Sequence, residues 1–332
     1  MSGRGEAQQL VDAFGRRLEY LRLSVTERCN FRCTYCLPGG CPAAAGAPPL
    51  SVEEIDRLVG AFAVLGFWKV RITGGEPTLR GDVVEIVRRV AATPGVRHVG
   101  MTTNGYRLRS IAGDLARAGL TCLNVSVDSL DPERFAAITG TPLLPRVLEG
   151  VEAAMAAGIP RLKVNAVLLA GTDGAEVDRF LAWTREAPVT VRFIELMEVG
   201  ADPAWFARNH VPAAELERLL QDRGWSRLPR GEGEGPATNY GKAGHPGRVG
   251  IIAPSRHDAC ARCNRLRVSS GGRLRLCLFD RREVPLRPLL GSDAQRGALT
   301  GAIRAAVGAK PASHPVARGG ARALSSLSAI GG

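Results

Sequence analysis

The chain has 332 residues, of which 45% are hydrophobic and 23% charged, and its formal net charge at pH 7 is +12. That size and balance support a large buried core, as one big α/β unit or as one unit plus an extension. No apolar run is long enough to span a bilayer; with 5% aromatic residues and no dense Lys/Arg block, a small polyanion suits the positive charge as well as nucleic acid does.

The run Met1-Ser2-Gly3-Arg4-Gly5-Glu6 has no apolar stretch of the secretory kind, so a cytoplasmic location is expected. In a reducing compartment the eight cysteines favour metal over disulfide. The first β-rich run is 20–25. Next come Cys29, Cys33 and Cys36 in Cys29-Asn30-Phe31-Arg32-Cys33-Thr34-Tyr35-Cys36. The spacing C-x3-C-x2-C is too tight for an ordinary disulfide pattern, and no His stands near to suggest a zinc knuckle. Three thiolates on one short loop can hold three irons of a cubane cluster and leave the fourth open, and an open position marks a reactive rather than a structural metal. With an aromatic residue before the third Cys, the run resembles the signature of the radical S-adenosylmethionine (radical SAM) superfamily. That resemblance implies an open iron that chelates the methionine end of the cofactor.

A helix is predicted from Ser51, with Glu54 completing a capping box, Leu50 and Ile55 as a staple, and Gly66 as its stop. Further strands are predicted at 69–73, 99–102, 123–127, 162–168 and 189–196. Helical patterns lie between them, two ending at Gly119 and Gly158. Strand–helix alternation implies a parallel sheet. Gly74-Gly75-Glu76-Pro77, Thr102-Thr103-Asn104-Gly105, Ser126, Asp128, Asn165 and Met197 fall at or just past C-terminal strand ends, the rim where barrel sites are built. Lysine is scarce: only Lys69, Lys163, Lys242 and Lys310 are not Arg among 44 basic residues. A retained lysine suggests a place for a compact ammonium.

Beyond about residue 200 the texture changes. Residues 232–246 read as a loop, 248–253, 265–270 and 273–279 as antiparallel strands with a Gly271-Gly272 turn, and 294–307 as a helix. From 311 the chain is rich in Gly, Ala and Ser and ends in Gly331-Gly332. Cys260-Ala261-Arg262-Cys263 and Cys277 form a second incomplete set, which fits either a three-ligand cluster or a zinc ribbon completed by His257. Cys122 reads as a small buried hydrophobe, and Cys41 as a loop residue near the first set.

With both sets in place the chain resembles the GTP 3′,8-cyclases, which begin molybdenum cofactor biosynthesis. The runs that carry the resemblance include Leu21-Arg22-Leu23-Ser24-Val25-Thr26-Glu27-Arg28-Cys29-Asn30, Arg71-Ile72-Thr73-Gly74-Gly75-Glu76-Pro77, Cys263-Asn264-Arg265-Leu266-Arg267 and the Gly331-Gly332 end. The resemblance implies a partial (β/α)6 TIM-like barrel over 1–200 and a C-terminal antiparallel extension over 201–332. It implies two 4Fe-4S clusters, one on Cys29, Cys33 and Cys36 and one on Cys260, Cys263 and Cys277. S-adenosylmethionine is implied at Tyr35, Gly75, Ser126, Met197 and Asn165. GTP is implied at Arg22, Lys69, Arg71, Thr102, Lys163, Arg192, Arg265 and Arg267, with Arg265, Arg267, Gly331 and Gly332 in catalytic roles. Implied partners are an electron donor such as flavodoxin or ferredoxin and the downstream cyclic pyranopterin monophosphate synthase; a homodimer is left open. Asp258-Ala259 and Leu37 depart from the family pattern without removing a ligand. The rivals are a radical SAM peptide maturase, a radical SAM RNA-modifying enzyme and a non-catalytic metal-binding module.

Overall fold

The computed structural model describes residues 9–41, 48–198, 202–231, 235–253 and 258–313. Six strands alternate with helices along the first part: β1 (Tyr20–Ser24), β2 (Lys69–Thr73), β3 (His98–Thr103), β4 (Cys122–Ser126), β5 (Leu162–Leu168) and β6 (Thr190–Glu195). The helices among them are α1 (Val52–Val64), α2 (Val83–Ala92), α3 (Leu108–Arg117), α4 (Pro132–Thr139), α5 (Leu144–Ala156) and α6 (Gly174–Glu186). The α1 capping box forms as the sequence predicts: Glu54 N donates to Ser51 Oγ at 3.2 Å, and Ser51 N donates to Glu54 Oε2 at 2.8 Å. Leu50 and Ile55 are both buried beside it. Gly66, Gly119 and Gly158 take positive φ where their helices stop, a conformation that costs glycine little.

The later part supplies α7 (Pro203–Asn209), α8 (Ala213–Asp222), β7 (Ser226–Arg227), β8 (Thr238–Gly241), β9 (Arg248–Ile252), α9 (Asp258–Ala261), β10 (Arg265–Val268), β11 (Arg273–Arg275), β12 (Val284–Pro285) and α10 (Arg296–Val307). All the strands among the described residues join one sheet in the order β12-β11-β10-β1-β2-β3-β4-β5-β6-β9-β8-β7. The antiparallel pairing expected of the 265–270 and 273–279 strands is present, as β10 with β11. In addition β10 pairs parallel with β1, and β9 pairs parallel with β6. The parallel barrel is therefore extended at both edges by strands from the later part of the chain, which sequence periodicity alone does not show.

Two further differences are local. The 273–279 strand stops at Arg275, and Cys277 sits in the turn that follows, where its carbonyl accepts from Asp280 N at 3.4 Å. The 232–246 loop contains β8, which pairs with β9.

Alternation along the strands decides what lies inside. Leu21, Leu23, Val70, Ile72, Val99, Met101, Leu123 and Val125 join the apolar core shared with the helices. Their polar neighbours, Arg22, Lys69, Arg71, Thr102 and Asn124, take the other face and line the barrel interior. Aromatic pairs stiffen the shell: Phe62 meets Phe67 edge-on at 4.9 Å, and Phe180 meets Phe193 at 5.4 Å.

Candidate active site

The first cysteine loop follows β1 and is held on several sides. Thr26 O accepts from Gly75 N at 2.8 Å, and Arg28 O accepts from Glu76 N at 2.7 Å. A Cβ on Gly75 would lie 2.3 Å from Arg28 O, so glycine is needed where the two loops cross. Backbone of Glu27 and Arg28 fills the space that a side chain would need. Asn104 Nδ2 donates to Asn30 Oδ1 at 2.9 Å. Phe31 rests edge-on against Phe135 of α4 at 6.2 Å. The Tyr35 hydroxyl donates to Asp128 Oδ2 at 2.8 Å, and Asp128 Oδ1 accepts from Val167 N at 3.0 Å. Burial pushes the Asp128 carboxyl up to about 6. Glu76, wholly buried, accepts from Thr78, Thr103 and Asn104 and so ties the end of β2 to the end of β3. Ser126 ends β4 across from Asn165, and Met197 is half-buried just past β6.

Cys29, Cys33 and Cys36 are half-buried and unlinked. Burial pushes the Cys29 thiol up to about 11, with Glu76 and Cys41 adding to it. Burial also raises Cys33 far above the ordinary thiol range, helped by Asp128, Cys36 and Cys29. These thiols lie close enough to repel as thiolates, in a place that opposes thiolate charge. A cluster cation supplies the missing counter-charge, so the donor set fits an iron–sulfur group.

Inside the barrel the register aligns a band of cations. Arg267 of β10 lies across from Arg22 of β1, and Arg22 across from Arg71 of β2. One step back, Arg265, Tyr20 and Lys69 align in the same way. Asn165 and Arg192 are partners across β5 and β6, and Arg192 Nε and Nη2 donate to Asn165 Oδ1 at 2.9 and 2.6 Å. The structure thus joins residues that the sequence assigns to different ligands. Arg71 donates to Tyr20 Oη at 2.7 Å, Met101 O at 2.9 Å, Thr102 Oγ1 at 3.4 Å and Cys122 Sγ at 3.5 Å. Gly100, across from Arg71, makes room for it: a Cβ there would lie 2.8 Å from Nη2.

Crowded, buried cations lose basicity. Burial, then Arg192, brings Lys163 down to about 8; burial, then Arg71, brings Arg192 down to about 10. Burial would raise the Tyr20 phenol, but Arg71, Arg22 and Lys69 outweigh it and bring it down to about 7. Cys122 is buried, as its sequence position suggests, but its thiol also meets cations. Burial acts to raise its thiol, yet Arg71 and Lys163 hold it below the ordinary value.

The second cysteine set closes the opposite end. Cys260 lies in α9 and Cys263 just before β10, and Cys263 N donates to Cys260 O at 3.1 Å. Because β11 runs antiparallel to β10, Cys277 just past β11 returns to the same end. Two buried cations brace this end. Arg16, paired with Asp12 at 2.6 Å, donates to Cys260 O at 2.9 Å. Lys310 Nζ donates to Arg265 O at 3.2 Å and to Leu276 O. Burial acts to raise the Cys263 thiol, but Lys310 and Arg265 outweigh it and bring it down to about 7, while burial raises Cys277. The three thiols are unlinked and half-buried, with cations close by, which fits an anionic thiolate cluster. Among the described residues no group of three His, Cys, Asp or Glu closes on one point as a lone metal ion requires. A cubane sets its ligands on separate corners and calls for a wider triangle. His257, Gly331 and Gly332 lie outside the described residues.

Tyr20, Asn124 and Gly100 were not among the residues singled out from the sequence; Asp128 was placed on the rim and Lys310 noted as a retained lysine, neither with a role. Tyr20 alone carried a usable signal, its i, i+2 spacing to Arg22.

A barrel with two open-ended thiol sets and a cationic interior is the arrangement of a radical SAM enzyme. Residues 23–184 match the Radical SAM superfamily profile, and residues 189–316 match that for Molybdenum Cofactor Synthesis C. The GTP 3′,8-cyclase of Aeromonas hydrophila subsp. hydrophila is 50% identical over 328 residues, covering 97% of this chain and 96% of its own. The enzyme of that name from Stenotrophomonas maltophilia is 49% identical over 98% of this chain and 99% of its own, and that from Yersinia pestis is 44% identical over the same shares. The chain belongs to the GTP 3′,8-cyclase family. Among solved structures, Streptococcus suis SuiB bound to S-adenosylmethionine superposes with a TM-score of 0.62 at 15% identity, over 86% of this chain and 68% of that one. That likeness speaks for the fold alone.

Proposed function

We propose that the protein is a radical SAM lyase that converts GTP to 3′,8-cyclo-7,8-dihydro-GTP, the first step of molybdenum cofactor biosynthesis. The observation that carries this reading is the buried cation band lying between the two thiol sets. Arg22, Arg71, Arg192 and Arg267 are all buried. Burying like charges together is costly unless an anion joins them, and forked guanidinium groups suit triphosphate oxygens. A five-residue strand separates the two ends, about 15 Å, enough for an extended nucleotide.

The first cluster and S-adenosylmethionine, when bound, supply the 5′-deoxyadenosyl radical that removes the ribose 3′-hydrogen. The chain's own part is to hold, orient and keep water out. Cys29, Cys33 and Cys36 would hold one cluster, and Cys260, Cys263 and Cys277 the other. Tyr35, Gly75, Ser126, Asn165 and Met197 form the rim toward S-adenosylmethionine. Lys69, Thr102, Lys163 and Arg265 join the buried arginines around GTP. C3′ then bonds to guanine C8, and the base gains one electron and one proton. Gly331 and Gly332 are assigned to the site's second-cluster end; deleting them should leave 5′-deoxyadenosine formation and remove the cyclised product. Further parts of the reading are a flavodoxin- or ferredoxin-type electron donor, hand-off to the pyranopterin synthase, a homodimer and a cytoplasmic location. Among the described residues no helix is long and apolar enough to cross a membrane.

The test is anaerobic. The protein is reconstituted with iron and sulfide, given S-adenosylmethionine, GTP and dithionite, and its products are read by mass spectrometry. GTP-dependent 5′-deoxyadenosine together with cyclised GTP is the expected result. 5′-Deoxyadenosine formed regardless of GTP would send the substrate assignment back to peptides and RNA.

A further inference from the structure

We propose that Tyr20 is the internal counter-group of the substrate chamber: its phenol oxygen stands among the cations where an anionic oxygen belongs, and it takes up a proton when the triphosphate arrives. The inference rests on the GTP reading above. Its geometric basis is a buried phenol, 8% exposed, at the start of β1. Tyr20 Oη accepts from Arg71 Nε at 2.7 Å. Lys69 Nζ lies 4.9 Å from the centre of its ring. Arg22 follows it by two residues on the same strand face, and its charge acts on the phenol. A chamber lined with cations repels itself when empty, and a phenol is the mildest anion that can relieve this without competing for good with the substrate.

The groups that face Tyr20 are Arg22 on its own strand, Lys69 and Arg71 on β2, Arg265 and Arg267 on β10, and, further across the barrel, Arg192 on β6; Cys122 on β4 and Lys163 on β5 act in turn on Arg71 and Arg192. These cations bring the phenol down to about 7. Above neutral pH it is therefore largely phenolate in the empty chamber. Triphosphate oxygens reverse the local potential, raise the phenol again and return its proton. The sign follows: a site that binds a proton together with its ligand loses affinity as pH rises, at most about tenfold per pH unit per proton. The lost affinity begins near pH 7. Lys163, down at about 8, also takes up a proton beside an anion, so the informative quantity is the difference between wild type and a Tyr20 variant.

The experiment is calorimetry of GTP binding to the anaerobically reconstituted enzyme, at pH 6 and pH 8.5, in buffers of different ionisation enthalpy. Wild type, Tyr20→Phe and Cys122→Ala are compared. The expected result at pH 8.5 is that wild type and Cys122→Ala take up close to one proton more than Tyr20→Phe, with no such difference at pH 6. The affinity of Tyr20→Phe should also fall less steeply with pH. Equal uptake in wild type and Tyr20→Phe, with GTP bound by both, overturns the proposal and leaves the substrate reading intact. Loss of the uptake in Cys122→Ala but not in Tyr20→Phe gives the proton to the thiol and likewise overturns it. Wild type that binds no GTP defeats the substrate reading, and this proposal with it.

Discussion

At Gly75 one methyl group is enough to separate two loops. Its Cβ would lie 2.3 Å from Arg28 O and 2.6 Å from Glu27 O, both backbone atoms that have nowhere to turn. Gly75→Ala is expected to cost about 1–3 kcal/mol of overpacking, concentrated where the loop enters Cys29. Roughly half the bound iron should go with it, because only the first set is disturbed. Iron analysis and thermal unfolding of the reconstituted variant check both. Normal iron content would show that the loops part without consequence. At this scale the thiol sets and the cation pairs were legible in the sequence, because their spacing is local: eight residues hold the first set together, and Arg265 and Arg267 share a strand face. Tyr20 and Gly100 were not legible, and Asp128 only by its place on the rim, because their meaning lies in partners far along the chain. Tyr20 meets a side chain 51 residues away and Asp128 one 93 residues away. Cys122 is buried as its position suggests, but its contact with Arg71 was not legible, since nothing next to it in sequence announces that arginine.

The elements that carry the cysteine loop do more than frame it. Phe135 of α4 is wholly buried and supports Phe31 inside the loop, while Thr139 O and Ile138 O at the end of the helix accept from Arg32 N and Thr34 N, both at 2.9 Å. The loop is thus bonded to a helix end as well as to the barrel. Phe135→Ala should destabilise the fold by about 3–5 kcal/mol, the range for a large aromatic side chain lost from a core. It should also loosen the first thiol set ahead of global unfolding. Urea titration followed by tryptophan fluorescence and by cluster absorbance would separate the two. Coincident transitions would mean that α4 and the loop have no independent motion. Elements of the barrel were readable from strand–helix alternation, and the α1 cap from four residues. The parallel pairing of β9 and β10 was not, because their sequences specify strands and hairpins but say nothing of which barrel edge they meet.

Across the whole molecule the two thiol sets share no residue and stand at opposite ends of the strands. Loss of one should therefore spare the other. Cys263→Ser is expected to keep roughly half the iron and to retain reductive cleavage of S-adenosylmethionine, while cyclised GTP disappears. Iron content, electron paramagnetic resonance and product analysis together make the check. Loss of all iron would mean that the ends are mechanically joined through the barrel.

The pairing of β10 with β1 also sets a schedule for synthesis. Tyr20 leaves the ribosome roughly 245 residues before its partner Arg265. At about 5–20 residues per second the nascent chain spends on the order of 10–50 s with that edge unpaired. The β6 edge waits a shorter time for β9, which follows it within about 60 residues. Unpaired edges invite pairing with other chains. A chain cut near residue 200 would hold both edges open permanently and is expected to collect in inclusion bodies. The full chain depends on finishing translation, or on a chaperone, before its first strand finds the wrong neighbour.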